Sequence, residues 1–229
     1  VTNEGDEAVS VEKLEAADLL KRVRSLSGGG RRVLIGIAGS PGAGKSTVAQ
    51  WLARALDPEG RRAVWVPLDG FHLADAELVR LGRADRKGAI DTFDGHGYRD
   101  LLSRLATDRD AIVYAPAFDR DIEQPIAGSI PVFPETDFVV TEGNYLLDDD
   151  APWPAVRKAL TESWYCQTHE PTRLTRLIAR HERFGKSPTE ARQWVRAVDE
   201  ANARRIRGSR ARADLVFDYE TLGLSPGPA

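Results

Sequence analysis

Residues 39–46 read Gly39-Ser40-Pro41-Gly42-Ala43-Gly44-Lys45-Ser46, and what flanks them decides the architecture. Upstream, Val33-Leu34-Ile35-Gly36-Ile37 is a short, fully apolar run, the pattern of a strand buried on both faces of a parallel sheet. Downstream, Val48, Ala49, Leu52 and Leu56 recur at helical spacing and predict a helix over 45–56. A glycine-rich turn between such elements lets backbone N–H groups converge on phosphate oxygens at the positive end of the helix. The spacing G-x-x-x-x-G-K-S adds an ammonium, Lys45, for the β- and γ-phosphates and a hydroxyl, Ser46, for Mg²⁺, with Thr47 next in the first turn. A chance match in a chain of this size is on the order of one in a hundred. The strand before it and the helix after it reduce that further.

Outward from the loop, Ala63 to Leu68 reads as a second strand ending at Asp69-Gly70, and Phe138 to Thr141 as another ending at Glu142-Gly143. Ser163 to Gln167 and Asp214 to Phe217 complete the set. Helical patterns cover 10–25, 74–81, 97–106, 153–161, 171–183 and 188–206, the last opened by Ser187 as N-cap, Pro188 and Glu190. Ala111 to Tyr114 reads as a strand, and Ile122 to Phe133 as a hairpin turning at Ala127-Gly128-Ser129. Alternating strands and helices predict an α/β fold with a central parallel sheet and helices on both faces. The expected organisation is an N-terminal helix and linker over 1–30, one domain over 31–219, and a frayed tail over 220–229.

With 41% hydrophobic and 29% charged residues in a chain of 229, the composition is globular. The net charge of −3 gives no general basic field for nucleic acid. The single cysteine, Cys166, excludes an internal disulfide and a cysteine-built zinc site. No apolar run approaches the ~20 residues of a membrane span, and Val1 to Ser10 is polar and acidic, the opposite of a signal peptide. The expectation is a cytoplasmic protein without nucleic-acid or membrane partners, and a homodimer is compatible with it.

No Asn-Lys-x-Asp segment is present to read guanine, and no Leu-Ser-Gly-Gly signature of a transporter ATPase follows the loop; Leu26 to Gly29 spells that string upstream of it. What the chain offers is two carboxylates, Asp69 and Glu142, at strand ends, where α/β sheets bind their ligands. Each also has a plain reading as a turn residue before a glycine.

Taken together, Gly39 to Ser46, Asp69-Gly70-Phe71-His72, Asp91-Thr92-Phe93-Asp94, Tyr114, Glu142-Gly143-Asn144-Tyr145 and the arginine-rich helix after Pro171 resemble the phosphoribulokinase/uridine kinase/pantothenate kinase family. The likeness spans roughly residues 31–217 and is closest in look to bacterial kinases named for fructose transport systems or uridine. It implies a P-loop NTPase-type three-layer fold with a helical lid over about 172–187, and an ATP- and Mg²⁺-dependent transfer of phosphate to an alcohol of a small metabolite. By the same resemblance, residues 39–47 hold the nucleotide, Ser46 and Glu142 the metal, and Asp69 faces the acceptor hydroxyl. Phe71, His72, Asp91, Asp94, Tyr114, Asp119 and Arg120 would surround the acceptor, although Asp94 also suits the N-cap of the next helix.

Lys45, Arg176 and Arg180 would clamp the migrating phosphate, and Asn202 would lie near the adenine. Arg173, Arg176, Arg180 and Arg183 share one helical face, which a solvated basic stripe would equally explain, with Leu174, Leu177, Ile178 and His181 as its packed face. Where uridine kinases carry a ribose-binding aspartate three positions before Asp-x-Phe-Asp, this chain has Gly88, so a sugar or another small polyol stands level with a nucleoside, and a pantothenate-like alcohol stays open as well. The alternative reading is a regulatory nucleotide-binding protein with little or no transfer activity.

Overall fold

The computed structural model describes residues 10–225. Strand β1 (Val11–Glu12) and helix α1 (Ala16–Ser25) lead into β2 (Val33–Ala38), the phosphate loop, and α2 (Lys45–Leu56). Then come β3 (Ala63–Pro67), a 3₁₀ turn Leu68–Phe71, α3 (Asp75–Arg80), α4 (Gly95–Thr107), and the pair β4 (Val113–Asp119) and β5 (Gln124–Val132). The chain continues through β6 (Phe138–Glu142), α5 (Trp153–Ala159), β7 (Glu162–Gln167), α6 (Glu170–Arg183), α7 (Pro188–Trp194), a π turn Val195–Asp199, α8 (Glu200–Gly208) and β8 (Leu215–Asp218). The central sheet is six-stranded and parallel, in the order β1-β8-β7-β2-β6-β3.

Burial on both faces of β2 follows from its alternation. Ile35 and Ile37 pack with Leu19, Val23, Val48, Leu52, Trp164 and Phe217 under α1 and α2. Leu34 and Ala38 face the opposite layer, with Tyr98, Leu102, Val156 and Ile206 of α4, α5 and α8. This is the expected three-layer arrangement, and the helix over 45–56 has the bounds its pattern predicts. The capping box at Ser187 and Glu190 also forms. The first predicted helix starts later than expected: Val11 and Glu12 instead pair in parallel with Val216 and Phe217 at the sheet edge. The polar stretch before it lies outside the described residues except at Ser10, as does the end of the tail, but Leu222 is buried rather than frayed.

The hairpin differs most from the sequence expectation. It turns at 120–123, not at Ala127-Gly128-Ser129, because Asp119 accepts from the backbone N–H of Asp121 and Ile122 and so folds the chain back there. Residues 127–129 form a bulge opposite Pro116, which has no N–H to extend the ladder. The hairpin lies directly on the turn after β3. A Cβ on Gly70 would sit 2.4 Å from the Pro116 carbonyl oxygen, so only glycine lets the two backbones approach this closely.

Arg32, at the entry to β2, is 3% exposed and donates to the carbonyls of Leu105, Asp108, Phe133 and Thr136. It ties the end of α4 and the loop before β6 to the central strand, and burial pushes its pKa down. Among the described residues no helix is long and apolar enough to cross a membrane.

Arg32→Met keeps the side-chain length but leaves these carbonyls without a donor. Unsatisfied buried groups each cost about 1–3 kcal/mol, so a net loss of about 3 kcal/mol is expected, lowering Tm by about 6–12 °C in a domain of this size. Thermal denaturation followed by circular dichroism checks it.

Candidate active site

Three strand ends meet because of sheet register. Glu142, the last residue of β6, lies opposite Ile37 of β2 on one side and Pro67 of β3 on the other. The phosphate loop begins two residues after Ile37, and Asp69 comes two residues after Pro67. Backbone pairing therefore brings these three strand ends together.

The loop needs its glycines. Gly39 (φ +150°), Gly42 (φ +80°) and Gly44 (φ +99°) all lie in the left-handed half of backbone space. A Cβ at Gly39 would fall 2.3 Å from the Cys166 carbonyl oxygen, and one at Gly44 2.4 Å from the Tyr219 ring. Gly44 is the N-cap of α2 and no side chain caps the helix, nor does its first turn carry an acid. Its N-terminal N–H groups are thus left for an external anion.

Lys45 is 7% exposed and donates from Nζ to the Ser40 carbonyl at 3.1 Å. Burial pulls its pKa down, opposed mainly by the nearby Glu142.

The Ser46 hydroxyl donates to Glu142 Oε1 at 3.0 Å. Burial pushes the Glu142 carboxyl up to about 7, and the neighbouring Asp69 carboxylate adds to this. Burial works the same way on Asp69, but there the surrounding His72, Arg120, Arg180 and Lys45 outweigh it and hold the carboxyl below its ordinary range. Asp69 and Glu142 thus differ in charge state near neutrality, the usual arrangement when two close carboxylates share a site.

Arg120 reaches Asp69 Oδ2 at 3.0 Å from the hairpin turn. His72 accepts no role in that pair. Its Nδ1 meets the Asp69 backbone carbonyl at 2.8 Å, its ring sits between Phe93 and Phe118, and burial lowers its pKa. Phe71 packs edge-on against Tyr98.

Several expected acceptor-side residues are engaged elsewhere. Asp91 pairs with Arg83 and Arg86. Asp94 caps α4 through the Gly97 N–H at 2.8 Å, and Asp119 closes the hairpin turn. Tyr114 is 57% exposed, on the outer face of β4, because strand alternation points Val113 and Ala115 inward instead. The Asn202 amide donates to the Gly88 carbonyl at 3.3 Å, beside the Tyr145 hydroxyl. A polar cleft of about 280 Å³ next to the loop is lined by Ser40, Tyr165, Gln167, Thr168 and, from the far end of α8, Arg207, without Asn202.

The arginines of α6 do not form a uniform solvated stripe. Arg173 is buried, donates to the Pro41 carbonyl at 3.0 Å and pairs with Glu170 and Glu200, so it braces the phosphate loop from behind. Arg176 lies 4.8 Å over the Tyr219 ring, and its Nη1 is buried without a hydrogen-bond partner. Arg180 forms no hydrogen bond or ion pair among the described residues, and burial and the nearby Arg120 lower its pKa. His181, expected among the leucines, bonds Asp199 of the π turn at 2.8 Å. Tyr219, which packs on Gly44 and under Arg176, had no signal in the sequence beyond being an aromatic just after the last strand.

The residues fit a nucleoside triphosphate: a cradle closed to any Cβ, an uncapped helix start, a buried Lys45, and Arg176, whose only ion pair among the described residues is with Glu220 at 3.4 Å. They also fit one divalent cation beside a polyphosphate, since Ser46 and Glu142 supply the hard oxygen donors.

Several known proteins are similar to this chain. A family model for the methylmalonyl-CoA mutase-associated GTPase MeaB matches residues 5–71, under a third of the chain, ending just past Asp69. A protein of Schizosaccharomyces pombe named provisionally as a uridine kinase is 36% identical over 166 residues, covering 70% of this chain and 71% of its own. The pantothenate kinase of Bacillus subtilis is 32% identical over 130 residues, but this chain spans only 40% of it. Among solved structures, a protein from Silicibacter sp. TM1040 described provisionally as a fructose transport system kinase superposes with a TM-score of 0.79 at 35% identity, covering 89% of this chain and 98% of that one.

A buried lysine whose charge burial disfavours costs the empty protein stability and is retained for its ligand. Lys45→Met should therefore melt no lower than the parent without nucleotide. Saturating ATP·Mg²⁺, worth about 2.7 kcal/mol at a hundred times Kd, should raise Tm in the parent only. Paired thermal melts with and without nucleotide decide it.

Proposed function

Because the chain belongs to the phosphoribulokinase/uridine kinase/pantothenate kinase family and is a small-molecule kinase with an alcohol acceptor, we propose that it transfers the γ-phosphoryl group of ATP, with Mg²⁺, to a hydroxyl held at Asp69. The observation that carries this reading is the position of Asp69 near both Lys45 and Glu142, the latter bonded to Ser46 of the phosphate loop. The amides of residues 42–46 and Lys45 hold the triphosphate, and Arg176 and Arg180 neutralise it from α6. Mg²⁺ held through Ser46, with Glu142 behind it, would neutralise charge between the β- and γ-phosphates.

Asp69 orients the acceptor hydroxyl and takes its proton as the new O–P bond forms and the bond to ADP breaks. His72 fixes Asp69 through its backbone and, with Phe118 and Phe93, keeps water from the hydroxyl. Gly185 (φ +94°) gives the turn after α6 a flexible joint, so that residues 172–187 act as a lid that brings Arg180 onto the phosphate.

Asp69→Asn keeps the shape and removes the proton acceptor. Turnover, measured as ADP release over a panel of small alcohols, should fall by ~10²–10⁴, while ATP affinity measured by calorimetry stays within about threefold. A loss under tenfold with chemistry rate-limiting would remove Asp69 from this role.

Glu142 provides a pH test. In the empty protein near neutrality it is part protonated, and cation binding requires the carboxylate, so binding releases a proton. ATP·Mg²⁺ affinity should rise with pH toward 7 and weaken about tenfold per unit below it. Titration calorimetry in two buffers of different ionisation enthalpy reads the proton directly, and Glu142→Gln should abolish its release.

A further inference from the structure

The acceptor side has almost no carboxylate to spare. Asp75 is paired with Lys87, Asp91 with Arg83 and Arg86, and Asp94 and Asp119 are spent on backbone caps. Asp69 faces the site with Arg120 on one of its oxygens, and Glu123 stands near Arg180. A neutral polyol or nucleoside is usually held by free carboxylates accepting from its hydroxyls, and these four aspartates are engaged. Where such a group would stand, Gly88 presents a carbonyl already bonded to Tyr145 and Asn202.

Two guanidinium groups also stand at this point. Arg120 lies near Arg180, with Asp69, Asp199 and Glu123 as the carboxylates around them, and Arg180 has no ion pair among the described residues. Arg120 is also held in place deliberately. Its turn is fixed from one side by the Asp119 cap and from the other by Lys87, which donates to the Glu123 carbonyl at 2.6 Å and to Asp75 at 2.6 Å. Glu123 is the one non-glycine residue at positive φ among the described residues (φ +54°), a conformation that persists only where surroundings enforce it. The Arg120 side chain itself remains 38% exposed.

A hydroxyl cannot compete with a guanidinium for a carboxylate oxygen, because charge-assisted pairs are roughly twice as strong as neutral ones. An acceptor that brings its own oxyanion can, since Arg120 then exchanges one anion for another and releases Asp69. We infer that Arg120 is the specificity-determining residue of the acceptor site, and that the acceptor is a small alcohol that also carries a carboxylate or phosphate. This rests on the kinase reading above. When the oxyanion takes Arg120, Asp69 regains its second oxygen and loses the guanidinium that lowers its basicity, so it accepts the hydroxyl proton more readily as phosphate transfers. Acceptors without an anion leave Arg120 on Oδ2, and Asp69 a weaker base through Oδ1.

The test pairs alcohols that differ in the anion: D-glycerate with glycerol, pantothenate with panthenol, ribose 5-phosphate with ribose, and uridine as a neutral nucleoside. Binding is measured by calorimetry to the protein with a non-hydrolysable ATP analogue, and turnover by ADP release. Anionic members should bind and turn over at least tenfold better than their neutral partners, and the carboxylate and phosphate arms decide which oxyanion fits. Arg120→Gln should raise KM for the anionic acceptor tenfold or more and erase the preference, with KM for ATP within twofold. Asp69→Asn frees Arg120 and should bind the anion more tightly while losing turnover.

A neutral best acceptor, an undiminished preference in Arg120→Gln, or no binding of any anionic member overturns the inference. A kinase that prefers neutral alcohols would leave the proposed function standing, whereas anion binding that needs Arg120 but never leads to transfer would overturn that function and keep the recognition.

Discussion

Strand β6 hydrogen-bonds to β2 on one side and β3 on the other, and everything chemical in the molecule depends on that double pairing. Register fixes Glu142 between Ile37 and Pro67, so the phosphate loop and Asp69 leave the sheet at one height on either side of a single carboxylate. A slip of one residue would reverse which side chains of β6 face each layer, burying Glu142's neighbours wrongly as well as misplacing the acid. Packing and function therefore enforce the same register. Val139 and Val140 lie in opposite core layers, and Thr141 anchors the strand through the Val66 carbonyl and the Tyr98 hydroxyl.

Much of this was legible because it is local. The strand before Gly39, the helix after Gly44 and the acids ending two later strands are carried by short stretches whose periodicity and spacing need no tertiary information. The cap at Ser187 was legible for the same reason. Errors arose where a residue's task depends on a distant partner. Gly128 looks like a turn, but Pro116 twelve positions earlier makes it a bulge and Asp119 moves the turn. Arg173 looks like one more surface arginine until the loop at Pro41 arrives beneath it. Asn202 sits on a helix whose direction over the sheet is set by a π turn, and no helical periodicity marks where that extra residue falls. Asp91, Asp94 and Asp119 share a composition that suits both ligand and scaffold, and only coordinates separate the two uses.

The cations around the phosphate loop differ in how the protein pairs them. Lys45 has the Ser40 carbonyl and the nearby Glu142, Arg176 has Glu220 at 3.4 Å, and Arg180 has no hydrogen bond or ion pair among the described residues; burial disfavours the charge at Lys45 and Arg180. Preorganised cations of this kind cost stability when empty and need no reorganisation when the anion comes. Arg173 marks the contrast: on the same helix but fully buried, it is saturated by Glu170, Glu200 and a backbone carbonyl.

The ribbon of β4 and β5 stands apart from the main sheet, and both of its strands are edges. Such edges, here with Tyr114, Ile122 and Ile126 exposed beside them, are templates on which another chain can add a strand. Pro116, Pro125 and Pro131 remove donors along them, and the bulge at 127–129, closed by Ser129 onto the Ile126 carbonyl, breaks their straight run. The element that carries Arg120 to the site is thereby a poor seed for aggregation, and the molecule can hold out an apolar arm in water without inviting its neighbours to grasp it.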